Sequence, residues 1–137
     1  KEDSRSFKKK DYFRLLGVDY YYEGDPAVLA ACMEKDYQEI LIDFGKVREE
    51  VFPEWLRCTK KVLVADLSEW KLEAFLGLLA EKGESAKEWI CMTAFGSEIM
   101  KQEIERQFHI SLKQIPLSAD AFSVDIRTME WFADILV

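Results

Sequence analysis

The run Ile40-Leu41-Ile42-Asp43-Phe44-Gly45 decides how the rest of the chain is read. Consecutive branched and long aliphatic residues predict a strand buried on both faces, as in a parallel sheet. The run ends in an acid with a glycine two positions on. Ligands of open α/β sheets sit beyond the carboxyl ends of the strands, so Asp43 is the first candidate for a polar edge. Gly45 permits close approach of a ligand to the backbone.

Working outward, the sequence alternates strand and helix signals. Val18-Asp19-Tyr20-Tyr21-Tyr22 reads as a strand, with a further aromatic-aliphatic run, Tyr12 to Leu16, ahead of Gly17. Asp25-Pro26 predicts a helix start, with Asp25 as N-cap and Pro26 at the first helical position, running to about Lys35. Tyr37 to Phe44 is the central strand. Lys46 to Cys58 is predicted helical but interrupted at Pro53. Lys61 to Asp66 is a second buried strand ending in an acid. Ser68 caps a helix to Lys82 whose stripe is Leu72, Phe75, Leu76 and Leu79, and Gly83 ends it. Trp89 to Thr93 is a third buried strand, followed by a helix from Ser97 to Phe108, a short strand Ser111 to Ile115, a loop Leu117 to Val124 and a last helix from Ile126 to Leu136. This order predicts βαβ units: a three-layer α/β sandwich with a mainly parallel sheet. Residues 1–11 are charged and read as a linker or disordered segment; residues 12–137 read as a single α/β domain.

Composition bounds the partners. The chain has 137 residues, 49% of them hydrophobic, enough for a core. Its formal net charge of −7 disfavours non-specific nucleic-acid binding, which rests on phosphate contacts. Lys8-Lys9-Lys10 is the one basic run and reads as solvated linker. The three cysteines, Cys32, Cys58 and Cys91, form no C-x-x-C pair and read as reduced thiols in a cytoplasmic protein. No apolar run reaches the roughly 20 residues that span a bilayer, and no transmembrane segment is expected. The chain opens on Lys1 in a polar stretch that starts no element, so it reads as the middle of a longer polypeptide.

Candidate chemistry collects at strand ends. Asp43 and Asp66 would share one edge if their strands are neighbours, where Mg²⁺ or a polarised water is held beside phosphates. The alternative is that each caps the turn that follows. For Asp66 capping is the favoured reading; for Asp43 the two stand even. Thr93 to Ser97 joins a strand to a helix and could meet a ligand on the same edge, although an ordinary turn capped by Ser97 is favoured. His109, the single histidine, lies at a helix end and reads as a surface residue. No Walker A loop, G-x-G-x-x-G or G-x-S-x-G occurs. Tyr20-Tyr21-Tyr22 must send part of its aromatic surface to the outer face of a strand, which suits a protein interface.

Tyr37-Gln38-Glu39-Ile40-Leu41-Ile42-Asp43-Phe44-Gly45 resembles the strand that carries the switch acid in Min/Par-type P-loop ATPases, the division-site and chromosome-partitioning family. Arg57 to Val64 is similar to that family's next sheet strand, Ile90 to Thr93 to the strand ending near the adenine, and Gln107 to Ile110 through Ile115-Pro116 and Asp120 to its closing segment. The resemblance covers most of residues 17–137. It implies a P-loop NTPase-like fold, with ATP and Mg²⁺ as cofactors if a phosphate loop lies upstream. It also implies a catalytic and Mg²⁺-binding role for Asp43 and nucleotide contacts at Gly45, Asp66 and Thr93. Phe44-Gly45 replaces the family's Pro-Gly, and Thr93-Ala94 its asparagine. The alternative from another class is a non-catalytic α/β module that has lost nucleotide binding. Its working surfaces would be the Tyr cluster and an exposed sheet edge, meeting a protein partner or a second copy as a homodimer. A receiver- or flavodoxin-like domain also fits the alternation but lacks paired acids or a phosphate loop.

Overall fold

The computed structural model describes residues 12–120 and 122–137. The expected linker, residues 1–11 with Lys8-Lys9-Lys10, lies outside the described residues. The chain forms two compact units, which meet in sequence between Val51 and Phe52.

In the first unit, β1 (Tyr12–Leu15) and β2 (Val18–Tyr21) pair antiparallel, Tyr12 opposite Tyr21 and Leu15 opposite Val18. The turn between them is Leu16-Gly17, both at positive φ (51° and 81°), the geometry that matches the right-handed twist of a two-residue hairpin. Alternation gives the hairpin two faces. Phe13, Leu15, Val18 and Tyr20 share one, where Phe13 stacks on Tyr20 at 4.9 Å. Tyr12, Arg14, Asp19 and Tyr21 share the other. There Arg14 grips Asp19 through both guanidinium-carboxylate contacts (2.6 and 3.0 Å), and Tyr37 donates to Asp19 at 2.6 Å. Lys35 donates to the Tyr21 hydroxyl and sits 4.8 Å from the Tyr12 ring centre. This network ties the hairpin to the chain that follows α1 (Pro26–Met33), whose N-cap Asp25 accepts from the Val28 N–H at 2.8 Å as expected.

The predicted central strand is corrected. Tyr37 to Phe44 has no ladder partner among the described residues and is not a strand. Leu41 is 97% exposed and Ile40 41%. Apolar, β-branched composition supplies side chains that suit a sheet, but a strand exists only where a neighbour completes its hydrogen bonds. The predicted helix over Lys46–Cys58 is also shorter than expected. A 3₁₀ turn covers Glu49–Val51, and α2 spans Phe52–Arg57 with Pro53 in its first turn. Proline opens this helix instead of interrupting it, because an N–H in the first turn has no intrahelical acceptor.

The second unit is α/β. Strands β3 (Val62–Ala65), β4 (Ile90–Thr93) and β5 (Leu112–Gln114) form a parallel sheet in that order. Helices α3 (Glu69–Lys82) and α4 (Glu98–Phe108) are the crossovers, and α5 (Ile126–Leu136) closes the chain. Because the strands follow one another in one direction, right-handed crossovers set α3 and α4 on the same face. Leu63, Cys91 and Leu112 lie in one register row, and Phe75 and Leu79 of α3 and Ile104 of α4 are buried with them. Trp89 meets Trp55 of α2 edge-on at 4.7 Å, and Trp55 meets Phe52 at 5.7 Å. Among the described residues no helix is long and apolar enough to cross a membrane.

Gly96, just before α4, is the tightest point of this unit. Its φ is +153°, and a Cβ there would stand 2.7 Å from Leu67 Cδ1 and 3.0 Å from Leu67 Cβ. Leu67 is buried and closes the sheet end between β3 and α3. Gly96→Ala is expected to destabilise the protein by about 1–3 kcal/mol through backbone strain and displacement of Leu67. Urea unfolding should show a lower midpoint with an unchanged slope.

Candidate functional site at the strand ends

The carboxyl ends of β3 and β4 lie side by side, because Ala65 is in register with Thr93 and Thr93 with Gln114. Asp66 follows β3 directly, so the register brings Asp66 and Thr93 to neighbouring strand ends. Asp43 and Gly45 belong to the first unit.

Asp66 works locally. Its Oδ1 accepts from the Ser68 N–H at 2.9 Å, and its Oδ2 accepts from Lys71 Nζ at 2.8 Å. The Lys71 ammonium first, and then the Ser68 amide, hold the carboxyl down at about 2. Ser68 occupies the N-cap position of α3, but its hydroxyl makes no capping bond and is buried without a partner among the described residues; the Asp66 carboxylate instead accepts from the N–H of the cap residue itself. Thr93 is fully buried, and its hydroxyl donates to the Phe95 carbonyl at 2.8 Å. Its own carbonyl accepts from the Ile115 N–H at 2.8 Å. Ser97 caps α4 by accepting from the Met100 N–H at 3.1 Å. Asp43 accepts from the Gly45 N–H at 2.8 Å, with Gly45 at φ +65°, so acid and glycine form one Asx turn.

Other candidates fall elsewhere. His109 ends α4 in the left-handed conformation and is exposed. Burial pushes the Cys91 thiol up to about 11, where it is inert. Asp19 is held down at about 2, by the Arg14 hydrogen bond first and that of Tyr37 next, and the same bond to Asp19 raises Tyr37. Among the described residues no group of three or more His, Cys, Asp or Glu side chains could hold a metal ion.

Two residues at this edge escaped the sequence reading. Lys71 reaches back to Asp66 from the first turn of α3, and Gln114 Nε2 donates to the Ala94 carbonyl at 2.8 Å, bracing the β4–α4 loop from β5. A lysine one turn into a helix after a strand-terminal acid was a readable signal. The Gln114 contact depends on the β4–β5 register and left no trace in local sequence.

Comparison with protein-family models, with curated proteins and with solved structures returned no match.

Asp19 and Asp66 both titrate lower in the folded protein than in the unfolded chain, where a carboxyl sits near 3.9. Their stabilisation is therefore fully present above about pH 4 and is lost as pH falls toward 2. The unfolding midpoint should drop across that window, and Asp66→Asn, which keeps an acceptor but loses the ion pair with Lys71, should flatten the drop. An unchanged pH profile in Asp66→Asn would show that the ion pair contributes nothing.

Proposed function

We propose that the chain serves as a protein-interaction module on an α/β framework of P-loop NTPase type, one that performs no nucleotide chemistry of its own. The observation that carries this reading is a contrast between two margins of one sheet. At the carboxyl ends, the groups that would meet a ligand are engaged within the chain: Asp66 by Ser68 and Lys71, Thr93 by Phe95, Gln114 by Ala94. Along the outer side of β3, no described residue pairs with the strand. Val64 in its middle is 62% exposed. A polar edge that is internally satisfied and an apolar strand that is not point to protein contact, because an open strand edge is a template for another strand.

A second reading is favoured by the placement of Asp66 beside Thr93. It is the Min/Par-type P-loop ATPase that the sequence resembles, with ATP and Mg²⁺ as ligands and these two residues on the nucleotide side of the sheet. A phosphate loop would then have to come from sequence beyond this stretch.

Thermal unfolding of the intact gene product with and without ATP–Mg²⁺ separates the two. The interaction module predicts no shift. A nucleotide held at 100 times its Kd would add about 2.7 kcal/mol, and a rise of several degrees that Asp66→Ala or Thr93→Val abolishes would replace this reading with the ATPase.

A further inference from the structure

Helix α5 does not seal the sheet face that it covers. Side chains alternate along β4 and β5, so with Cys91 and Leu112 turned toward α3 and α4, Ile90 and Lys113 project from the opposite face. Trp131, Asp134 and Ile135 stand at i, i+3 and i+4 on α5 and share one side of that helix. These residues, with Ser111, line a cleft of about 410 Å³. That volume lies within the range of small-molecule sites, roughly 300–1,000 Å³. The cleft lies toward the amino ends of the strands, since Ile90 begins β4 and Ser111 directly precedes β5. Asp66 and Thr93 stand at the other ends.

The walls are apolar and the polar groups are few. Ile90, Trp131 and Ile135 are all half-buried. Lys113 comes from the sheet and Asp134 from the helix, so the cleft carries one cation and one anion on its two walls. Neither makes a hydrogen bond or ion pair among the described residues, and the Ser111 hydroxyl makes none there either. Elsewhere in this unit exposed opposite charges do pair: Lys71 with Asp66, Lys87 with Glu84, Arg106 with Glu103. A ligand with one charge suits one wall and is repelled by the other. A ligand with both charges and an apolar body suits both walls at once.

We propose that this cleft binds a small zwitterion with an apolar side group, the chemistry of a free aromatic or branched α-amino acid. Its carboxylate lies against Lys113, with the Ser111 hydroxyl, two residues away on the same strand face, as a further donor. Its ammonium lies against Asp134, and its apolar group lies on Trp131 and Ile135. Both protein charges are exposed, so each ionic contact is screened and contributes modestly. Apolar contact supplies the rest, and selectivity comes from the need for both charges together. The site goes beyond the interaction module and is independent of it, because neither the β3 edge nor the carboxyl margin of the sheet takes part.

Isothermal titration calorimetry of the intact gene product with L-phenylalanine tests the site, with 3-phenylpropionate and phenethylamine as single-charge controls. L-Phenylalanine should bind with a Kd of about 1 mM or tighter. Each control should bind roughly fivefold more weakly, the effect of losing one exposed ion pair. Lys113→Met and Asp134→Asn change exposed residues and should leave the circular dichroism spectrum unaltered. Lys113→Met should erase the preference for L-phenylalanine over phenethylamine and keep that over 3-phenylpropionate; Asp134→Asn should do the reverse. General damage to the fold would not produce this crossed pattern. The proposal is overturned by a wild-type protein that shows no saturable heat up to about 10 mM L-phenylalanine, ten times the expected Kd. Controls that bind as tightly, or preferences that neither substitution moves, overturn it equally. A blank titration with no ATP shift removes this ligand and leaves the interaction module in place. An ATP shift removes the module, and the crossed pattern still decides the cleft.

Discussion

The second unit depends on β4 pairing on both sides. Cys91 is in register with Leu63 and with Leu112, and all three are buried. This row sets the positions of the rest. It fixes which residues point at α3 and α4, and it brings Asp66, Thr93 and Gln114 to one margin. The pairing is non-local, joining β3 to β4 across a whole helix, so it forms only when α3 can fold back onto the sheet. The 14-residue α3 does so with Phe75 and Leu79, and its length matches the crossover a parallel pair requires.

The second unit was legible in the sequence because its signals were mutually supporting. Ser68 to Gly83 carried a start, a periodic stripe and a stop, and the helix is found at Glu69–Lys82. Ser97 and Asp25 were read as caps and act as caps. In each case the information is local: a capping side chain and its amide lie within three residues of one another. The run from Ile40 to Phe44 was read from its composition and from its resemblance to a family strand, and neither supplies a partner. Its first three residues are as apolar as β3, and yet the run remains unpaired among the described residues. The lesson is physical: helices satisfy their own backbones, and strands borrow satisfaction from elsewhere.

The candidate site divides along the same line. That Asp66 would cap the following turn was readable from Leu67-Ser68 and the helix beyond, and this is what its carboxylate does. That it would sit beside Thr93 needed the β3–β4 register. Asp43 and Gly45 were read as acid and close-approach glycine of a ligand edge, and locally they form one Asx turn. The pattern Asp-x-Gly suits both uses, because both need an acceptor and a backbone free to adopt positive φ. Only the surroundings distinguish them.

The first unit shows how a small antiparallel pair can be held where no third strand occurs among the described residues. An isolated two-stranded hairpin is marginal in water. Here β1 and β2 gain support on one face through a chain of bonds that runs Lys35 to Tyr21, Tyr21 to Tyr37, Tyr37 to Asp19 and Arg14 to Asp19. The Asp19 side chain is only 5% exposed because Arg14 and Tyr37 cover it, and both donate to its carboxylate. Arg14 is itself two-thirds exposed, so losing it would open Asp19 to water while the Tyr37 hydroxyl still donates to the carboxylate. The apolar face, with Phe13 stacked on Tyr20, adds contacts between the strands themselves and needs no such network. The two faces therefore divide the work: the polar one fixes where the hairpin lies on Lys35 and Tyr37, and the aromatic one stiffens the hairpin itself.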